Sequence, residues 1–180
     1  MTTTASSSSS APPRVTIDTS RAFTHRCVRS AVIPASREAI YGALFDMRAW
    51  QDLLPHVQRI EVLHDDGQYQ EFMMTVKSDT DGQPLTVRSI RNCREDIEFF
   101  QPVPPRFLRH HGGIWRFHPQ GPGETLVEVT HVWNLLPEVA AEVYPPGPEG
   151  STEDQVERML GNHSQLTLQG WQRVFSGGGR

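Results

Sequence analysis

The sequence predicts an α+β domain whose curved antiparallel sheet wraps one long C-terminal helix and encloses a small-molecule cavity. Two observations predict it. From about residue 57 to 136 every segment carries strand periodicity, interrupted only by turn chemistry. Residues 152–175 instead repeat apolar side chains at helical spacing. A run of strands closed by one helix lays that helix across a concave sheet, and the volume between them becomes a pocket.

The elements follow in order. Residues 22–33 alternate, with Phe23, His25, Cys27, Ala31 and Ile33 on one side, as in a strand. Pro34 closes it, and Ser36 is the N-cap of a short helix over 37–47 with Ile40, Leu44 and Met47 as its apolar stripe. A second helical turn, Ala49–Leu54, stops at Pro55. Strands are predicted at 57–64, 69–78, 84–95, 97–101, 107–118 and 124–135. They are separated by Asp65-Asp66-Gly67, Asp81-Gly82, Pro104-Pro105 and Gly121-Pro122-Gly123. Residues 137–150 read as a Pro-rich connector.

The closing helix opens on a capping box, Thr152 with Gln155, and Glu153, Asp154 and Glu157 place negative charge at its positive end. Val156, Met159, Leu160, His163, Leu166, Thr167, Trp171 and Val174 share a face. At 1.5 Å per residue, 152–175 would run about 36 Å. Gly161 and Gly170 each cost roughly 1 kcal/mol unless they permit close approach to the sheet. The single domain spans 14–175. Residues 1–13 (MTTTASSSSSAPP) and 176–180 are expected to be disordered tails.

Composition excludes several function classes. The 180 residues carry a net charge of −4, so no surplus of Lys and Arg exists to neutralise nucleic-acid phosphates or hold an anionic membrane. No apolar run reaches bilayer-spanning length, and the N-terminus has no signal-peptide h-region. Cys27 and Cys93 are isolated, as in a reduced, cytoplasmic protein. No HExxH, CxxC, GxSxG or phosphate loop occurs, and no metal or cofactor is predicted. His110-His111 cannot both face one side of a strand, so they form no metal site by themselves.

Polar residues on predicted cavity faces are the candidates for chemistry. In the fourth strand Leu85, Val87, Ser89, Arg91 and Cys93 share a face. Facing inward, Arg91 needs a partner or an anionic guest. Shifted by one residue, it is a solvated charge. In the seventh strand Val127, Val129, His131 and Trp133 share a face. A lone His there is either a hydrogen-bonded core residue or an acid/base. Asn162 and His163 sit mid-helix, where Asn is a poor helix former, facing cavity or solvent.

Four stretches resemble the bacterial polyketide aromatase/cyclases of the START-like (SRPBCC) superfamily. They are IPASREAIYGALFDMRAWQDLLPHVQRIEVLHDDGQ, DGQPLTVRSIRN, GETLVEVTHVWNLLP and MLGNHSQLTLQGW, in the family's order. The resemblance implies a helix-grip fold. It also implies a cavity that binds an acyl-carrier-protein-tethered poly-β-ketone and directs aldol cyclisation and dehydration. It makes Arg91 the central cavity Arg, Ser89 its neighbour, Asn162 the helix Asn and Trp50 the Trp after the first helix. His131 falls at a cavity-strand position and is a candidate acid/base. Val57, Val87, Trp115, Trp133 and Met159 complete the expected substrate-binding set, with Val57 and Val87 standing where relatives carry aromatics. The same fold also carries hydrophobic ligands without chemistry, which is the alternative, and related enzymes act on other substrates.

Overall fold

The computed structural model describes residues 23–77 and 84–177. The predicted 1–13 tail, the Asp81-Gly82 turn and residues 178–180 lie outside the described residues, while Ser176 and Gly177 form a turn. Seven strands make one antiparallel sheet: β1 (His25–Ile33), β2 (Val57–Asp65), β3 (Tyr69–Val76), β4 (Leu85–Cys93), β5 (Ile97–Val103), β6 (Leu108–Gly121) and β7 (Glu124–Leu135). Their spatial order is β1-β7-β6-β5-β4-β3-β2. Apart from β1, neighbours in sequence are neighbours in space, and the predicted strand count holds.

Helix α1 (Arg37–Phe45) is capped as predicted, with Ser36 Oγ accepting from the Ala39 amide. A 3-10 turn (Met47–Ala49) and the single-turn α2 (Trp50–Leu53) follow. Ile40, Leu44 and Met47 are fully buried. The predicted connector is partly helical. Helix α3 (Pro137–Val143) begins with proline in its first turn, where the missing N–H costs nothing.

Helix α4 (Thr152–Phe175) has the predicted bounds, but its capping box is shifted by one residue. Ser151 Oγ accepts from the Asp154 amide and Asp154 Oδ2 from the Ser151 amide, at 3.1 and 3.0 Å. Thr152 instead donates its hydroxyl to Tyr144 O. Gly161 and Gly170 do permit close approach: a Cβ would lie 2.3 Å from Arg29 Nη2 at one and 2.6 Å from Leu54 Cδ2 at the other.

Two apolar clusters hold α4 to the sheet. Val156 and Leu160 pack with Cys27, Phe107, Trp133 and Tyr144. Leu168 and Trp171 pack with Ile33, Ile40, Phe72, Phe117 and Val127. Between them the stripe is interrupted for one turn by His163, Ser164 and Thr167, and there the helix faces a cavity.

Gly113 sets the shape of the sheet beneath it. A Cβ would lie 2.0 Å from the Thr130 carbonyl oxygen and 2.6 Å from the Phe99 ring, so backbone as well as side chain would have to move. Gly113→Ala should therefore lower stability by at least about 1–3 kcal/mol, the usual scale of overpacking. Chemical denaturation reads this directly, and an unchanged midpoint would show that the strands are not so closely apposed.

Candidate functional site

The cavity between α4 and the concave face measures about 130 Å³. An apolar cavity of about 150 Å³ in another protein holds one benzene molecule. The lining is mostly aliphatic and aromatic, with two polar regions set apart along the sheet.

Arg91 dominates the first. It is 3% exposed and points inward, as the two-residue period of β4 requires. Its guanidinium is not free. Nη1 donates to Leu44 O at 2.7 Å and Nη2 to Phe45 O at 2.8 Å, the last carbonyls of α1. Nη2 also donates to Gln70 Oε1. Arg91 thus completes carbonyls that a helix end leaves without intrahelical partners, at the end where the dipole favours a cation. Trp50 and Phe72 lie 5.0 and 5.1 Å from its central carbon, within cation–π range. Burial lowers its pKa to about 10, so it stays charged at neutral pH. Only Nε has no hydrogen-bond partner among the described residues. Ser89 lies two residues away, on the same face and on the cavity wall.

The second region is built from histidines. His131 and Arg91 belong to one cross-strand row, Gln70–Arg91–Phe99–Gly113–His131–Cys27. Three strand spacings separate the two, about 14 Å along the sheet. The Phe99 ring lies between them and meets His131 edge-on, its centroid 5.3 Å away. His111 sits diagonally across the β6–β7 ladder from His131, since its direct partner is Trp133. His111 Nε2 and His131 Nδ1 are 2.8 Å apart, and His111 Nδ1 is 2.6 Å from Gln101 Oε1. His56 adds a contact from the opposite side, its Nε2 lying 3.0 Å from Thr167 Oγ1 and its ring edge-on to His163.

Both members of the central pair are held neutral. Burial, then the neighbouring His163, pushes His111 down to about 3. Burial, then His111, His163 and Arg29, pushes His131 well below its ordinary value. The unfolded chain protonates His111 near 6.5 while the fold does not, so its contribution to stability is complete above that pH. It is lost progressively as pH falls from 6.5 towards 3. Between pH 7 and 5 His111 alone should cost about 2 kcal/mol. Urea midpoints at the two pH values check this, with His111→Gln expected to flatten the difference.

Of the residues singled out from sequence, Trp50, Val57, Val87, Ser89, Arg91, Trp115, His131 and Met159 line the cavity. Two do not. Asn162 is exposed, because the buried side of α4 runs through Val156, Leu160, Ser164 and Leu168. Trp133 faces inward but is consumed by the second apolar cluster, stacking on His25. Sequence reasoning missed His56, Gln101 and His111 as cavity residues, while His163, left open between cavity and solvent, lines the cavity. Period-two counting from Trp115 and Gly113 would have put His111 inward.

Comparison with known proteins supplies the family. Residues 33–157 match the model of the family described as "polyketide cyclase / dehydrase and lipid transport". The chain belongs to that family. No curated protein matches the sequence. Among solved structures, the fold is similar to that of the di-domain aromatase/cyclase BexL from the BE-7585A biosynthetic pathway. That match has 24% identity and a TM-score of 0.73, covering 84% of this chain and 50% of that one. The chain therefore spans half the length of that relative. It is also similar to the Zhui aromatase/cyclase of Streptomyces sp. R1128, with 19% identity and a TM-score of 0.69, covering 87% and 99% of the two chains. A START superfamily protein from Mycobacterium smegmatis is similar too, with 18% identity, a TM-score of 0.63 and 85% and 98% coverage. At these identities the likeness shows the fold: the helix-grip architecture predicted from sequence. Among the described residues no helix is long and apolar enough to cross a membrane.

Proposed function

We propose that this protein is a polyketide aromatase/cyclase that folds a carrier-protein-tethered poly-β-ketone in its cavity for aldol closure and dehydration. The observation that carries the reading is the neutral His111–His131 pair on the wall of a ring-sized, largely apolar chamber. Protons between two carbonyls are already acidic, so even an imidazole that burial makes a weaker base can take one when held against it. His131 takes that role, and positioning does the rest, since an enclosed wall selects which carbon of a flexible chain meets which carbonyl. The Arg91 Nε–H and the Ser89 hydroxyl, further along the same sheet face, are suited to the oxygen on which charge develops. The chamber has room for one ring, which makes the ring-forming segment the part enclosed.

Reconstitution with a minimal polyketide synthase tests this. The protein should convert a mixture of spontaneous products into one ring pattern, catalytically. An unchanged mixture would reject the reading.

One observation favours a second reading, a non-catalytic carrier of a hydrophobic molecule. The terminal nitrogens of Arg91 are committed to α1 carbonyls and Gln70, as in a purely structural arginine. A carrier would bind its ligand stoichiometrically and return it unchanged.

A further inference from the structure

Gln101 and His111 take no direct part in that chemistry, yet both are buried beside the ring that does, at 7% and 3% exposure. A carboxamide oxygen can only accept, so Gln101 Oε1 at 2.6 Å fixes the His111 proton on Nδ1. Neutral His111 then carries a lone pair on Nε2. At 2.8 Å that nitrogen accepts from His131, whose proton must sit on Nδ1. Neutral His131 is left with a bare Nε2.

We infer that Gln101 and His111 are positioning residues that hold His131 in its Nδ1–H tautomer, so that Nε2 carries the lone pair which takes the substrate proton. A free imidazole favours the opposite tautomer, which would present an N–H where the reaction needs a base. The inference rests on the reading of His131 as the acid/base group. In the step it serves, the C–H bond breaks, its electron pair stays on the substrate as the enolate and the proton moves to Nε2. The resulting imidazolium gives that proton to the alkoxide formed on closure. A second abstraction and return releases the hydroxyl as water, so His131 ends neutral and no other reactant is consumed.

Beyond the two rings themselves, the titratable groups that bear on the pair are His163 from α4 and Arg29 from β1. No carboxylate is among them within the described residues, so Gln101 is the group that sets the direction of the proton chain.

Nitrogen-15 spectroscopy of the histidine rings in the full chain at neutral pH tests the inference without recourse to activity. Nδ1–H with a bare Nε2 is expected at both His111 and His131, and an Nε2–H signal from His131 would overturn it. Kinetically, Gln101→Met should lower kcat about ten- to a hundredfold with KM little changed, by analogy with the loss seen when the partner orienting a metal-bound imidazole is removed. Gln101→Glu should restore much of the loss and move the acid limb of the pH–rate profile upward, because a carboxylate favours the imidazolium. A profile that does not move for Gln101→Glu sinks the positioning role. A fully active His131→Gln would instead sink the reading beneath it.

Discussion

Arg91→Leu should cost this protein about 3 kcal/mol or more of stability, before any question of catalysis is asked. The substitution leaves Leu44 O without its guanidinium donor, leaves Gln70 Oε1 with only the weak Cys93 thiol donor and strips one of two donors from Phe45 O. Each buried acceptor so abandoned costs about 1–3 kcal/mol, and a domain of this size has only about 5–15 kcal/mol in total. The loss would appear first where α1 meets the sheet, as faster amide exchange in residues 42–46. Arg91→Lys should recover only part of the stability, because an ammonium cannot reproduce the planar fork that meets three acceptors. If Arg91→Leu melts like the parent protein, the guanidinium is not what joins α1 to β4. If it melts alike and still fails to cyclise, its role is chemical rather than architectural.

His131→Gln should act in the reverse manner. The fold should survive, since His131 is only partly buried and lies on a strand held by pairing on both sides. Turnover should fall by about 10²–10⁴, the usual contribution of a positioned general base. The pH dependence carries further information. With both rings neutral through the physiological range, the rate should stay flat on the acid side until well below the ordinary histidine range. An acid limb near 6.5 would mean that the working base is exposed and is not His131.

The sequence made the sheet and the Arg91 strand legible for a simple reason. A half-buried antiparallel strand alternates strictly, so Val87, Ser89 and Arg91 could be placed on one face without knowing what they meet. What Arg91 meets was hidden, because two of its three partners are backbone carbonyls of α1, and a carbonyl belongs to every residue alike. The histidine region was hidden for a different reason. Gln101, His111 and His131 come from three strands, and the diagonal contact between the rings depends on the β6–β7 register, which sequence does not display. Asn162 was drawn in by its rarity in helices, but the interruption that mattered was His163, Ser164 and Thr167, on the turn between the two apolar clusters. Helix α3 was obscured by its own first residue: a proline that begins a helix looks, in a run of prolines, like one that prevents it.

Soaking the protein with a ring-sized β-diketone whose central carbon is doubly methylated, and so has no proton to lose, would show where the chemistry is seated. The account predicts the blocked carbon about 3–3.5 Å from His131 Nε2, in near-attack geometry, with an oxygen turned towards Ser89 and Arg91 Nε. A ligand held at the far wall with His131 out of reach, or a chamber that does not admit the ring, would contradict it.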